Sequence, residues 1–190
     1  MDEKDVLKFA KTVGKLKEIK RAGWVKRNIP DPESVADHSF RAALLGMVLS
    51  DDEGLDTEKV MRMLLLHDLE ESVTGDIPHP QKLKMDKEKL KAMQEGAIKE
   101  ALSPLSAKLR ERYFSIWKEM EEETSQEAKF CKDVEKLEML MQVDDYQRKS
   151  KENKDKLNAF WEEAKNINDV PRRIASVIKV YEELRRQRGI

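Results

Sequence analysis

The stretch RMLLLHDLEESVTGDIP, residues 62–78, opens as an apolar run and then sets His67 and Asp68 side by side, with Glu70, Glu71 and Asp76 behind them. An ionisable group in so apolar a setting is costly to bury unless it is paired or bound to a metal. On a helix of 3.6 residues per turn, His67, Asp68 and Glu71 fall at about 0°, 100° and 40° around the axis. Glu71 then projects between the other two, one turn further on, while Glu70 falls to the other side and is expected at the surface. Two carboxylates on one face repel each other. A divalent metal removes that conflict, and imidazole nitrogen with carboxylate oxygen is a workable ligand set.

The pattern around this stretch is helical almost throughout. Val6, Phe9, Ala10, Val13 and Leu16 step by three and four, which predicts a first helix running on toward Ile19. RAGWVKRNIPDPES, residues 21–34, reads as a loop broken by Gly23, Pro30 and Pro32. Ser34, with Asp37 three residues on, imitates a capping box and opens a second helix over about 35–49. Asp56 or Thr57 caps the third helix, which carries the opening stretch, and Gly75, Pro78 and Pro80 end it. Further helices are predicted over about 86–102, from Ser103-Pro104 onward with Leu105, Leu109, Phe114 and Trp117 inward, and over 126–149 on Phe130, Val134, Leu137 and Met141. The last helices hold Leu157, Phe160 and Trp161, then Ile174, Val177, Ile178 and Tyr181. No alternating strand stands out. The fold class expected is all-α, a single multi-helix bundle spanning residues 1–190.

With 190 residues, the chain suits one domain with a full core. Apolar and charged residues each make up 39%, and the formal net charge is −1, so neither a nucleic-acid nor a membrane partner is expected. Cys131 stands alone, which rules out an intrachain disulfide and fits a reducing, cytoplasmic setting. The N-terminus is too charged for a signal peptide, and no apolar run approaches the roughly 20 residues of a membrane span.

The chain has three histidines: His38 on the second helix, His67 on the third and His79 in a proline-flanked loop. A lone core histidine is ordinarily satisfied by a hydrogen bond, but the blocks ESVADHS, LLLHDLEESVTGDIP and AKFCKDVEKLEMLMQ occur together and in order. They resemble the successive motifs of the HD-domain phosphohydrolases, H…HD…D, whose four metal ligands come from three helices. The 5′-deoxynucleotidase subgroup carries an extended H-D-x-x-E-x-x-x-G-D-x-P segment, which residues 67–78 reproduce, and RAGWVKRN is similar to its upstream loop. The resemblance covers about residues 16–142 and extends more weakly to the C-terminus.

The resemblance implies one divalent metal per site (Mn²⁺, Co²⁺, Zn²⁺ or Fe²⁺, with Mg²⁺ a further candidate), held by His38, His67, Asp68 and a fourth ligand. The family has Asp in a D-K-L-E context. Here Glu135 precedes KLE and Asp133 lies two positions earlier. These two point about 200° apart, so one of them is the ligand: Glu135 by alignment, Asp133 as the alternative. The implied reaction is hydrolysis of a nucleoside 5′-monophosphate, with Glu71 orienting or deprotonating water, or else paired with a lysine. Asp76 is the implied sugar contact, or else a turn residue. Trp24 either packs against deoxyribose or plugs the bundle end. Arg21 is the phosphate candidate, with Lys26 and Arg27 behind it. Thr74 and Ser34 could support the site, and His79 is expected outside the ligand set. The subgroup implies a homodimer, for which Phe160 and Trp161 could serve as interface or core. The alternatives are an HD phosphohydrolase for triphosphates, cyclic nucleotides or alarmones, or a non-catalytic regulatory module.

Overall fold

A computed structural model of the protein describes residues 2–165 and 175–189. Ile174 and the His79 side chain lie outside the described residues. Among the described residues eleven helical segments follow in order: α1 (Glu3–Lys15), α2 (Ala22–Val25), α3 (Val35–Glu53), α4 (Thr57–Leu66), α5 (Glu71–Thr74), α6 (His79–Lys82), α7 (Lys87–Leu102), α8 (Ala107–Glu121), α9 (Gln126–Lys149), α10 (Lys151–Lys165) and α11 (Ala175–Arg188). The class is all-α. Among the described residues the one strand-like feature is an isolated antiparallel bridge between Lys20 and Ser34.

The helix boundaries follow local chemistry. Asp2, Ser34, Asp56, Asp86 and Ser125 cap their helices by accepting a backbone N–H with the side chain. Gly54 ends α3 in the left-handed conformation at φ 67°. Two expectations need correction. The first helix stops at Lys15, and its stripe is covered only toward its end: Leu16 is buried while Val6 and Val13 are exposed. The third helix does not carry the whole opening stretch. It stops at Leu66, residues 67–70 form a tight turn, and α5 is a separate short helix.

Two apolar clusters build the interior. One surrounds α9, with Phe130, Val134, Leu137, Leu140 and Tyr146 packed among residues of α3, α4, α10 and α11. The other joins α1, α7 and α8 through Leu16, Ile98, Leu102 and Trp117. Met63 and Leu64 belong to the first cluster, and Leu66 and Leu69 to the second. Val35 belongs to the second and Ala42 to the first. Both His38 and the His67–Asp68 turn therefore lie where the two clusters meet. Phe160 and Trp161 are core residues, not interface residues.

Candidate metal centre and active site

The capping box at Ser34 fixes the entry to α3. The Ser34 hydroxyl accepts from the Asp37 N–H at 3.1 Å, and Asp37 accepts from the Ser34 N–H at 2.8 Å. That sets His38 in the first inward-facing turn. The loop before it is folded back by the Lys20–Ser34 bridge, with the Arg21 N–H donating to the Glu33 carbonyl at 3.0 Å, so Arg21 lies beside the start of α3. Beyond α4 the backbone tightens: the N–H groups of Leu69 and Glu71 donate to the carbonyls of Leu66 and Asp68, each at 3.1 Å. These bonds span three residues instead of four, so the simple angular reading of a continuous helix does not apply to Glu71.

Three donor groups converge, those of His38, His67 and Asp68, all within 4.8 Å of one another, and Glu135 approaches His67 from outside that group. His67 Nε2 lies 3.3 Å from His38 Nε2, 3.1 Å from an Asp68 oxygen and 3.2 Å from Glu135 Oε1. The same Asp68 oxygen is 3.9 Å from His38 Nε2. Both histidines are 2% exposed. Each commits its other ring nitrogen elsewhere: His67 Nδ1–H donates to the Leu64 carbonyl at 2.7 Å, and His38 Nδ1 pairs with the Glu138 carboxylate. The two Nε2 atoms therefore face each other with carboxylate oxygens alongside. A divalent cation resolves such an arrangement, because two imidazole lone pairs and two anions all want a positive charge between them. Without one, a proton takes its part. Burial opposes charge on His67, but Asp68 and Glu135 outweigh it and raise its pKa to about 9. Asp133, also buried, lies on a different face of α9 from Glu135.

Around this cluster the charges alternate. The Arg21 guanidinium donates to the Asp68 oxygen at 3.0 Å. Burial disfavours its charge, yet Asp68, Asp76, Glu71 and Glu33 together hold it more firmly protonated than usual. Glu71 is buried, and its Oε2 has no hydrogen-bond partner among the described residues, while Oε1 is 3.9 Å from Lys82 Nζ. Burial first, and then Asp68 and Asp76, push Glu71 up to about 10. Asp76 accepts the Ala22 N–H at 2.6 Å, tying the Gly-Asp-Ile-Pro loop to the start of α2. Gly75 makes that turn possible: φ 72°, ψ 167° is a region that side chains hardly enter.

Trp24 is buried in the bundle-plug arrangement, with Tyr146 and Phe160 at 5.4 and 5.0 Å between ring centroids and its indole N–H donating to Glu33 at 2.8 Å. Arg27 stacks over Phe160 at 4.3 Å, and Lys26 is exposed. Thr74 donates to the Gly75 carbonyl at 3.0 Å, and Ser34 is the cap. The expectation for Glu70 is corrected: it is buried and accepts the Trp117 indole N–H at 3.2 Å. The turn at residues 67–70 swings it into the second cluster. Glu138, Arg41, Lys82 and Lys132, the last 3.5 Å from Glu135, were not singled out from sequence. Glu138 was findable, because 134, 138 and 141 make an inward-facing step on α9. The others depend on packing between distant segments.

Residues 13–174 match the family model described as HD domain. The chain is 39% identical over 166 residues to the 5′-deoxynucleotidase HDDC2 of Dictyostelium discoideum, covering 82% of this chain and 86% of that protein. It is 38% identical over 144 residues to the human 5′-deoxynucleotidase HDDC2, covering 76% and 69%. Among solved structures, a conserved hypothetical protein from Pyrococcus furiosus superposes with a TM-score of 0.77 at 28% identity, over 95% of this chain and 99% of that one. The three motif blocks, the helical bundle and the His–Asp cluster agree with these matches, and the chain belongs to the HD-domain family.

Proposed function

We propose that this chain is a metal-dependent 5′-deoxynucleotidase, a phosphoric monoester hydrolase that converts deoxyribonucleoside 5′-monophosphates to deoxynucleoside and phosphate. The observation that carries the reading is the convergence of His38 Nε2, His67 Nε2 and Asp68, with Glu135 against His67, beside an unpartnered Glu71 oxygen and the Arg21 guanidinium. The 5′-deoxynucleotidase relatives support it, as does the H-D-x-x-E-x-x-x-G-D-x-P segment. His38, His67, Asp68 and Glu135 are the proposed ligands of one divalent ion, which supplies Lewis-acid polarisation of the phosphoryl group and a lowered pKa for water. Mn²⁺, Co²⁺, Zn²⁺ and Fe²⁺ suit the mixed nitrogen and oxygen donors, and Mg²⁺ is the harder alternative.

Each remaining residue has a task. Arg21 offsets the phosphate charge and shares it with Asp68. With the positive charge of a bound ion beside Asp68, the Glu71 carboxyl would ionise; its free oxygen would then take the proton of the attacking water and return it to the nucleoside 5′-oxygen that leaves in line. Asp76 uses one oxygen to hold the α2 backbone and offers the other to the sugar hydroxyl. Trp24, a residue of α2 anchored in the bundle against Tyr146 and Phe160, holds α2 in place as the wall against which deoxyribose packs. Exclusion of a 2′-hydroxyl by shape is worth on the order of 100-fold. The whole chain acts as one domain. No described helix is long and apolar enough to cross a membrane, and a cytoplasmic setting belongs to the same proposal. So does a homodimer, supported by the family resemblance and by the exposed ridge Phe40, Leu44 and Val48 on α3.

The test is phosphate release from deoxyribo- and ribonucleoside 5′-monophosphates, each assayed with Mn²⁺, Co²⁺, Zn²⁺, Fe²⁺ and Mg²⁺. Faster release from the deoxy series with at least one metal is expected. Failure to hydrolyse any 5′-deoxynucleotide with any of the five overturns the proposal. Sedimentation of the wild type against Leu44→Glu tests the homodimer, and a monomeric wild type overturns that part.

A further inference from the structure

The two histidines of the centre are held differently on their far sides. His67 gives its Nδ1 proton to a neutral carbonyl, that of Leu64. His38 pairs instead with the carboxylate of Glu138, which is 0% exposed. The second oxygen of Glu138 accepts from Arg41 Nε at 2.7 Å. Arg41 is itself fixed by Gln142 Oε1 at 2.5 Å and by Asp145 at 2.8 Å. The result is a continuous line from the centre to the surface: His38, Glu138, Arg41 and Asp145. Apolar residues of similar size would fill the same space without the desolvation that an ion pair suffers here. A carboxylate behind a ligating imidazole, by contrast, fixes its tautomer and orientation and strengthens its free nitrogen as a donor. Glu33 lies close to His38 and Glu138. Its Oε1 takes the Trp24 indole N–H, and Arg41 neutralises Glu138, so this group needs no cation of its own.

We infer that Glu138 and Arg41 are a positioning pair for the metal centre: Glu138 holds His38 with Nε2 free and turned toward the ion, and Arg41 clamps Glu138 in that place. This inference rests on the metal-centre reading, and the experiment separates the two. Co²⁺ is titrated into the metal-free wild type, Glu138→Gln, Arg41→Gln and His67→Ala, with binding followed by the visible absorption of the ion. Circular dichroism and thermal midpoints are recorded for each metal-free protein. Glu138→Gln keeps the shape of the side chain and removes its charge. It should bind Co²⁺ about 10- to 100-fold more weakly, with the KM for nucleotide at saturating metal unchanged. Arg41→Gln should weaken binding in the same direction by a smaller factor. A purely structural role would lower the thermal midpoint and leave the Co²⁺ affinity of the folded fraction alone. A folded Glu138→Gln that binds Co²⁺ within about twofold of wild type overturns the inference. If that variant does not fold, the same result for Arg41→Gln overturns it. If His67→Ala keeps wild-type affinity, the metal-centre reading fails and this inference with it. Weak His67→Ala beside tight Glu138→Gln defeats the positioning role alone.

Discussion

Glu70 and Glu71 are adjacent in sequence and buried in different surroundings, and their chemistry differs accordingly. Glu71 faces Asp68 and Asp76 with an unpartnered oxygen. Glu71→Gln should lower kcat by about 10²–10⁴-fold, the range for losing a general base, while equilibrium binding of a deoxynucleoside monophosphate persists. Normal turnover would remove Glu71 from its role. Glu70 lies under Trp117, and burial, then Asp68 and Glu121, raise it from the usual 4.5 to about 8. A carboxyl whose folded pKa is raised contributes stability that is complete below the unfolded value and lost as pH rises through the folded one. The metal-free protein should therefore lose this contribution between pH 4.5 and about 8. Glu70→Gln, which can still accept from Trp117, should be the more stable form at pH 9 by a few degrees in Tm, roughly. An equal gap at pH 5 and pH 9 would contradict the assignment. For the fourth ligand, Glu135→Ala should lose metal by elemental analysis and Asp133→Ala should retain it.

At the scale of elements, the position of the centre depends on how closely α3 and α4 approach. Gly46 faces α4, where an added Cβ would sit 2.2 Å from Leu64 Cδ1 and 3.1 Å from Val60 Cγ1. Leu64 and Val60 are fully buried and have little room to move. Gly46→Ala should cost about 1–3 kcal/mol by denaturant titration, and the shift of α4 relative to α3 should weaken metal binding too. A substitution with no effect on either would mean that Leu64 simply changes rotamer. The turn at residues 67–70 is the second element-scale feature. Its three-residue hydrogen bonds turn Glu70 into one cluster and leave Glu71 beside Asp68, which an uninterrupted helix would not do.

Across the whole molecule, the centre ties together segments that are distant in sequence: the first turn of α3, the turn after α4, and the middle of α9. A ligand that binds only the folded chain stabilises it by mass action. Metal at about 100 times its Kd should add about 2.7 kcal/mol, or roughly 5–10 °C in Tm for a domain of this size. Chelation should reverse the gain, and His67→Ala should abolish it. An unchanged Tm on adding any of the five metals would argue against ligands drawn from three separate segments.

The sequence by itself determined the helical class, most helix boundaries and the residues on which a metal centre could be built. Capping residues, prolines and three-to-four spacing are local signals, and they act within a few residues of where they are read. It left Glu135 and Asp133 open, and it misjudged Glu70, because a helical wheel assumes that the helix continues. Tertiary structure decided that α4 ends at Leu66 and that Trp24 closes the bundle against Tyr146 and Phe160. It also decided that Arg21 reaches Asp68 across 47 positions, and that Glu138 stands behind His38 across 100. Such pairings between distant residues are set by which apolar faces bury one another, and no local pattern encodes which charged side chains that burial brings together.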